Sequence, residues 1–235
     1  MRREFYFLSG LPRTGTTVLC SILSQNPIVY AGPNSPVCQL MWDAQASCQG
    51  LASEELRETN RADFQDEFVG NIPHLFYRAT SRNVVVDRCK SWMLPANVSM
   101  IQRYITPDPK VIVMTRPLEE VIQSFVGLNR RNGVDITYDR QWHDHADRTI
   151  QTAAGVEWAR GTRRPEYHFV EYADLIERPE ETIRSIYEFC GWEPFVHHFA
   201  DIACAHPAND SQYALQGLHE VRPRLGYRQE KVGAA

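Results

Sequence analysis

The chain alternates short apolar runs with longer stretches in which apolar residues recur at helical spacing. The short runs are rich in β-branched and aromatic residues, which is typical of strands buried on both faces. Four strands are predicted on this basis, at residues 4–9, 84–86, 111–115 and 167–170. Because helical stretches separate these strands, the pattern predicts βαβ units and therefore an α/β fold around a central parallel sheet.

Three helices are predicted between and after the strands, at residues 16–25, 117–131 and 179–190, and residues 52–69 are acidic and amphipathic. Pro117 falls in the first turn of its helix, where a missing N–H costs little, and Gly191 ends the last helix. Residues 129–148 are polar and dense in charged residues and histidines. We therefore expect a surface excursion there rather than a core element.

Length and composition favour a single domain and indicate neither a nucleic acid nor a membrane as partner. A chain of 235 residues can form one large domain, expected to span residues 1–235. The formal net charge is −4, so no overall basic field attracts nucleic acid or an anionic membrane. No apolar run approaches the roughly 20 residues needed to cross a bilayer, and no signal sequence is evident. We expect a cytoplasmic protein, either monomer or homodimer.

The six cysteines are far apart in the sequence and form no C-x-x-C pair. Their spacing therefore predicts buried free thiols and no metal site.

The connection between the first strand and the first helix carries the most information about function. Gly10, Gly15 and Thr17 fit the phosphate-binding pattern G-x-x-x-x-G-K-[ST], but Thr16 occupies the lysine position and Arg13 supplies a cation within the loop. Lysine is a point charge for the phosphates of a nucleoside triphosphate, whereas the fork of arginine donors suits a tetrahedral oxyanion. Backbone N–H groups and the positive end of the helix add to this attraction. The loop therefore predicts a phosphorylated ligand other than ATP or GTP.

A second anion-binding element is predicted after the strand at residues 111–115. Arg116 follows that strand directly, and Ser124 lies about two helical turns further on. The carboxyl ends of parallel strands form the edge at which α/β sheets bind ligands. Arg116 and Ser124 are therefore placed to hold a second phosphate.

Together, these elements resemble the sulfotransferase superfamily that uses 3′-phosphoadenosine 5′-phosphosulfate (PAPS). The loop resembles the family segment that holds the 5′-phosphosulfate, and Arg116 with Ser124 resembles the pair that holds the 3′-phosphate. Tyr172 opens a segment similar to the family's Y-E-D-L…P-E, with Ala173 in place of the glutamate. Residues 217–223 are similar to the end of small bacterial and phage members.

This resemblance implies a P-loop-type three-layer α/β/α fold and a PAPS-dependent sulfotransferase. A sulfonate group would pass from PAPS to a hydroxyl or amine of a small-molecule or saccharide acceptor, without a metal, and leave 3′-phosphoadenosine 5′-phosphate (PAP). Arg13 would stabilise the transferring group and the leaving phosphate. The residues implied to bind the donor are Pro12, Arg13, Thr14, Gly15, Thr16, Thr17, Arg116, Ser124 and Tyr172.

The acceptor must also lose a proton, so a general base is expected. Members of the family often use a histidine after the third strand or a glutamate after the first helix, and this chain has neither there. Asp87 is the main candidate for a catalytic base at the ligand edge, with Arg88 beside it as a catalytic residue on the sulfonate. An equal alternative is that Asp87 only orients Arg88 or caps the next turn. His143 and His145 are further candidates.

Two other functions stay open on the sequence alone. Residues 84–87 resemble a Walker B strand whose aspartate holds magnesium in a P-loop kinase, although Thr16 in the lysine position argues against a kinase. The lack of a base in the usual places instead suits a catalytically silent nucleotide-binding module.

Overall fold

The computed structural model describes residues 3–61, 63–137 and 140–226, without the side chains of residues 140–143 and 145. Its centre is a parallel sheet in the order β2-β3-β1-β4-β5. The strands are β1 (Glu4–Gly10), β2 (Val29–Asn34), β3 (Val84–Arg88), β4 (Val111–Thr115) and β5 (Tyr167–Glu171). The parallel sheet of the predicted fold class is thereby confirmed.

Helices connect the strands and cover both faces of the sheet. Those in the described part of the chain are α1 (Thr16–Leu23), α2 (Val37–Gln49), α3 (Ser53–Glu58), α4 (Phe64–Phe76), α5 (Pro95–Tyr104), α6 (Leu118–Arg131), α7 (Arg140–Thr162), α8 (Tyr172–Glu177) and α9 (Pro179–Cys190). A short 3-10 turn, Asp210–Tyr213, begins the C-terminal segment (residues 210–226).

Alternate strand residues enter two separate hydrophobic cores, because successive side chains of a strand point to opposite faces. In β4, Val111 and Val113 join one core, whereas Ile112 and Met114 join the other. The first core is closed by side chains of α2, α4, α5, α6 and α7, and the second by side chains of α1, α8 and α9. This two-sided burial explains the continuous apolar runs in the sequence and confirms the three-layer α/β/α architecture.

The four predicted strands are present, but β2 was missed. Its sequence contains Gly32 and Pro33, two residue types that are depleted in strands. Because β2 lies at the edge of the sheet, a proline there does not interrupt a ladder on both sides. The position in the sheet, rather than local propensity, makes this segment a strand.

The structure adds detail to two interpretations of the sequence. Residues 52–69 form parts of two helices, because the helical backbone is interrupted after α3 at Asn60, whose φ is 54°. The segment at residues 129–148, predicted as a surface excursion, includes the end of α6 at Arg131 and the first turns of α7 from Arg140. Residues 130–137 are exposed or half-buried, as expected for a surface segment.

Gly10 ends β1 in a conformation that larger residues avoid. Its φ is 129°, and a Cβ atom added there would lie 2.2 Å from the carbonyl oxygen of Met114 in β4. The close approach of β1 and β4 sets the direction in which the following loop leaves the sheet. A side chain at Gly10 would force these two strands apart.

We expect Gly10→Ala to lower the free energy of unfolding by about 2 to 4 kcal/mol, because it combines backbone strain with a clash against a backbone atom. Gly161→Ala is the matched control, since open space surrounds that helical glycine. Denaturant unfolding of both variants measures the difference. Equal stability of the Gly10→Ala variant and the wild-type protein would contradict this account of the strand end.

Candidate active site

A cavity of about 400 Å³ opens at the carboxyl ends of β1, β3 and β4. Its walls come from the loop before α1, the residues after β3, one side of α6 and the C-terminal segment. This is the edge at which ligands bind to parallel α/β sheets, and the volume lies within the usual range for small-molecule sites. Among the described residues, the cavity is lined by far more cationic than acidic side chains.

The loop before α1 presents an uncapped helix N-terminus to this cavity. Gly15 has a φ of 84° and directly precedes α1, and no side chain caps the helix there. A Cβ atom at Gly15 would lie 2.8 Å from the ring of Tyr172, so only glycine allows this close packing. The first N–H groups of a helix have no partner within the helix. They provide a binding site for an anion, together with the positive end of the helix dipole.

Arg13 connects this loop to the opposite walls of the cavity. Its Nε donates a hydrogen bond to Oγ of Ser124 at 3.2 Å, and its Nη1 donates to the carbonyl oxygen of Leu218. Arg116 donates from Nη1 to the carbonyl oxygen of Arg13 at 3.1 Å. The structure thus brings Arg13 together with Arg116 and Ser124, which lie 103 and 111 residues further along the sequence. Burial, followed by the nearby charges of Arg131 and Arg116, lowers the pKa of Arg13.

Arg116 is held in place by two neighbours of its own. Its Nε donates to the Glu120 carboxylate at 2.9 Å, one turn further along the chain. Its guanidinium lies over the ring of Tyr172, with 4.3 Å between the guanidinium carbon and the ring centroid. Cation–π contact and ion pairing both restrict the orientation of the side chain. Tyr172, predicted as a donor-binding residue, therefore lies between Arg116 and the loop.

Arg88 reaches the cavity from β3 and lies beneath α1. Its side chain is almost fully buried, and Nη1 donates to Oγ1 of Thr17 at 3.1 Å. Burial lowers the pKa of the Arg88 guanidinium. A cation buried in this way attracts an anion strongly, because little water competes for it.

The remaining loop residues differ in their placement. Pro12, Gly15, Thr16 and Thr17 line the cavity, as predicted for donor-binding residues. Thr14 does not, because it is fully buried and its hydroxyl donates to the carbonyl oxygen of Leu11 at 2.7 Å. The Thr14 hydroxyl therefore stabilises the turn itself.

Asp87 does not lie beside Arg88 in the cavity, as the sequence suggested. Adjacent residues of a strand point to opposite faces, so Asp87 turns away from α1 and towards the first core. Its carboxylate is buried and accepts hydrogen bonds from Ser35 at 2.6 Å, Tyr77 at 2.7 Å and Trp92 at 2.6 Å. Burial raises the pKa of Asp87, and these three hydrogen bonds oppose that rise. The placement fits a structural role and does not suit a base acting on an acceptor in the cavity.

Sequence reasoning missed the C-terminal segment, which forms one wall of the cavity. Val221 and Leu225 pack against the second core, and the backbone N–H of Ile202 donates to the carbonyl oxygen of Pro223 at 2.7 Å. Gln216 is tied to α6 through two hydrogen bonds with the Asn132 side chain. The basic, irregular tail shows no hydrophobic periodicity in the sequence. Its resemblance to family members at residues 217–223 was the one indication that it contributes to the site.

This segment brings a histidine–carboxylate pair to the cavity. The Nδ1 atom of His219 lies 2.6 Å from Oδ1 of Asp210, and the backbone N–H of His219 donates to Oδ2 of Asp210 at 3.1 Å. His219 also lines the cavity. The two histidines proposed from the sequence, His143 and His145, have side chains outside the part that the structure describes.

Within the part of the chain that the structure describes, no group of three or more His, Cys, Asp or Glu side chains is arranged to hold a metal ion. No helix within the same residues has the length and apolar character required to cross a membrane. The described cysteines are free thiols, although Cys89 is partly exposed and Cys204 is exposed, so the prediction of uniformly buried thiols is wrong for these two.

We expect Asp87→Ala to lower the free energy of unfolding by about 3 to 5 kcal/mol, because it leaves buried donors of Tyr77 and Trp92 without their acceptor. Tyr77→Phe removes only one of the hydrogen bonds and should cost about 1 kcal/mol. Denaturant unfolding of the two variants gives both values. An Asp87→Ala variant as stable as the wild-type protein would refute the structural role.

Comparison with known proteins agrees with this geometry. Residues 6–196 match the Sulfotransferase family. A relative described as a putative protein-tyrosine sulfotransferase of Caenorhabditis briggsae is 24% identical over 225 residues, which is 90% of this chain and 75% of the relative.

Solved structures show the same fold at lower identity. The sulfotransferase domain from the curacin biosynthetic pathway aligns with a TM-score of 0.54 and 17% identity, over 83% of this chain and 76% of that one. A sulfotransferase from Alicyclobacillus acidocaldarius aligns with a TM-score of 0.56 and 16% identity, over 84% and 85%. Because the family match covers most of the sequence, from β1 to beyond α9, the chain belongs to the sulfotransferase family.

Proposed function

We propose that this protein transfers a sulfonate group from PAPS to a hydroxyl or amine of a small-molecule or saccharide acceptor. The main support for the proposal is that two arginine-based anion sites lie in one cavity. Arg13 lies in the loop just before α1, and Arg116 donates a hydrogen bond to the Arg13 carbonyl oxygen. A ligand with two separated anionic groups matches this arrangement better than a ligand with one. Family membership supports sulfonate transfer as the reaction.

The residues of the cavity fit PAPS, which has a 5′-phosphosulfate and a 3′-phosphate. The glycine at position 15 keeps the loop free of a side chain where the 5′ group would approach α1. Buried Arg88 and half-buried Arg13 supply positive charge around that loop. Arg116 and Ser124 provide a guanidinium and a hydroxyl for the 3′-phosphate. A volume of about 400 Å³ is adequate for a ligand of this size.

Each of these residues has a separate task in the transfer. PAPS supplies a sulfonate that is activated by its bond to a phosphate. Arg13 and the first N–H groups of α1 neutralise the charge that accumulates on the leaving phosphate. Arg88, oriented by Thr17, adds positive charge on the β3 side of the loop. Arg116, fixed by Glu120 and Tyr172, holds the far end of the donor so that its reactive end is positioned.

The kinase alternative receives less support from the same cavity. Thr16 stands where a kinase loop has its lysine, and three protein donors already engage the Asp87 carboxylate that would hold magnesium. For the acceptor, the C. briggsae relative is described as a protein-tyrosine sulfotransferase, so an acceptor panel should include a phenolic hydroxyl.

Binding of PAP without a metal should raise the melting temperature. At 100 times the dissociation constant the stabilisation is about 2.7 kcal/mol, or roughly 5 to 10 °C for a domain of this size. Scanning fluorimetry should show this shift with PAP and little shift with ATP and magnesium. The opposite pattern would reject the sulfotransferase proposal in favour of a kinase.

Arg116→Ala should weaken PAP binding by a factor of roughly 10 to 1,000, because a charge-assisted contact to the 3′-phosphate is lost. Binding of 5′-AMP, which lacks that phosphate, should change by less than about threefold. Calorimetry of both nucleotides measures the contrast. Arg103→Ala is the matched control, since Arg103 is exposed on α5 and pairs with Asp66. Equal losses for PAP and AMP would remove Arg116 from the 3′-phosphate site.

A further inference from the structure

The His219–Asp210 pair has the form of a base held by a carboxylate, and it lies in the wall of the proposed donor cavity. We propose that His219 is the general base that removes the proton from the acceptor, with Asp210 as its positioning residue. This inference rests on the proposed function of the cavity. It assigns a role to the C-terminal segment, which carries neither the phosphate-binding loop nor Arg116.

Asp210 holds His219 at two points. One carboxylate oxygen contacts ring atom Nδ1 and the other accepts from the backbone N–H of the same residue. The two side chains are only 12% and 17% exposed. These two contacts fix the orientation of the ring and keep its proton on Nδ1. Because the hydrogen bonds of this ring within the described residues involve Nδ1, the opposite nitrogen, Nε2, is the atom available to accept a proton.

The surroundings of His219 place it close to the reacting end of the donor. The residue before it, Leu218, accepts a hydrogen bond from Arg13 through its carbonyl oxygen. The charges of both Arg88 and Arg13 act on the His219 ring. The pair therefore lies at the side of the cavity that faces the two guanidinium groups proposed to surround the phosphosulfate.

The surroundings of His219 favour the neutral form of its ring, which can accept a proton. Burial lowers the pKa of His219 below its usual value, contact with Asp210 opposes this, and the charges of Arg88 and Arg13 lower it further. The hydrogen bonds from His219 outweigh burial and lower the pKa of Asp210, so its carboxylate stays ionised. The ring of Tyr213, 5.9 Å away, also faces the imidazole.

The other described histidines have different neighbours. His168 contacts Ser185 and His197 contacts Tyr187, both on α9, while His206 packs against Tyr30. None of these lines the cavity, so His219 is the histidine that does so among the side chains that the structure describes.

In the proposed step, sulfonate transfer and removal of the acceptor proton occur together. Nε2 of His219 takes the proton of the acceptor hydroxyl while the acceptor oxygen forms a bond to sulfur. The bond between sulfur and the bridging oxygen breaks, and its electron pair stays on the 5′-phosphate of PAP. The products are the sulfate ester, PAP and an imidazolium ion, which then releases its proton to solvent.

The first test follows His219 in the wild-type protein by NMR. The sequence has eight histidines, and comparison with His219→Gln assigns the ring resonance. Saturation with PAP should move the titration midpoint of His219 upward by roughly one pH unit, because phosphate charge nearby favours the imidazolium form. An unchanged midpoint, in a sample whose melting temperature shows that PAP is bound, would overturn the proposal.

The second test measures turnover and needs no knowledge of the natural acceptor. PAP release from PAPS is followed with water and with a panel of phenols, alcohols and amines. For the fastest acceptor found, His219→Ala should lower kcat by a factor of roughly 100 to 10,000, while PAP affinity changes by less than about threefold. Added imidazole should restore part of the lost rate. Retained turnover, or loss without any rescue by imidazole, would contradict a role as base.

The pH profile separates a base from a merely structural histidine. In the wild-type protein kcat should fall as pH drops through the His219 pKa, since the protonated ring cannot accept a proton. His219→Ala should lose this acid limb. Asp210→Asn should move the limb to lower pH, because it removes the carboxylate charge that raises the His219 pKa. His198→Gln is the matched control, on an exposed residue away from the cavity. An acid limb that persists unchanged in His219→Ala would refute the proposal.

Failure of the base and failure of the donor site give different results. If PAP does not stabilise the wild-type protein, the proposed function is wrong and this inference falls with it. If PAP binds and the His219 resonance and kcat are unaffected, the donor site stands and only the base is wrong.

Discussion

The arrangement of the cavity depends on the guanidinium of Arg13. It links the phosphate-binding loop to Ser124 on α6 and to Leu218 in the C-terminal segment, and the Arg13 carbonyl in turn accepts from Arg116. Three parts of the chain, distant in sequence, therefore meet at one side chain. Arg13 adopts a left-handed backbone conformation, with φ of 64°, to reach this position. Such strain is sustained where the surrounding contacts over-determine the conformation.

This clustering of positive charge is unfavourable in the absence of an anion. Arg13 is half-buried, and this partial burial, followed by the charges of Arg131 and Arg116, lowers its pKa. The chain as a whole is acidic, with a formal net charge of −4, so the cavity contrasts with the rest of the molecule. A ligand with several negative charges would relieve this repulsion. The physical basis of donor binding is therefore local rather than a property of the overall field.

The parts of this structure that could be predicted from the sequence are those set by local pattern. Apolar runs identified β1, β3, β4 and β5, and the spacing of Gly10, Gly15 and Thr17 identified the loop. The edge strand β2 escaped notice because its place in the sheet outweighs the low propensity of Gly32 and Pro33.

The candidate site was predictable only in part, because only its locally patterned residues can be recognised in the sequence. Arg13 was found from the loop motif, Arg88 from its place at the end of β3, and Arg116 because it directly follows β4. The side on which Asp87 lies follows from strand alternation, and its partner Tyr77 comes from the chain before β3. The His219–Asp210 pair depends on how an irregular segment folds back over the loop, and neither periodicity nor spacing reports such a path.

The most direct test of the central claim is a crystal structure with PAP bound. The account predicts 5′-phosphate oxygens within about 3 Å of Arg13 and of the backbone N–H groups at the start of α1. It also predicts the 3′-phosphate between Arg116 and Ser124. PAP bound outside the cavity, or bound in the reverse direction with its 3′-phosphate at α1, would contradict it.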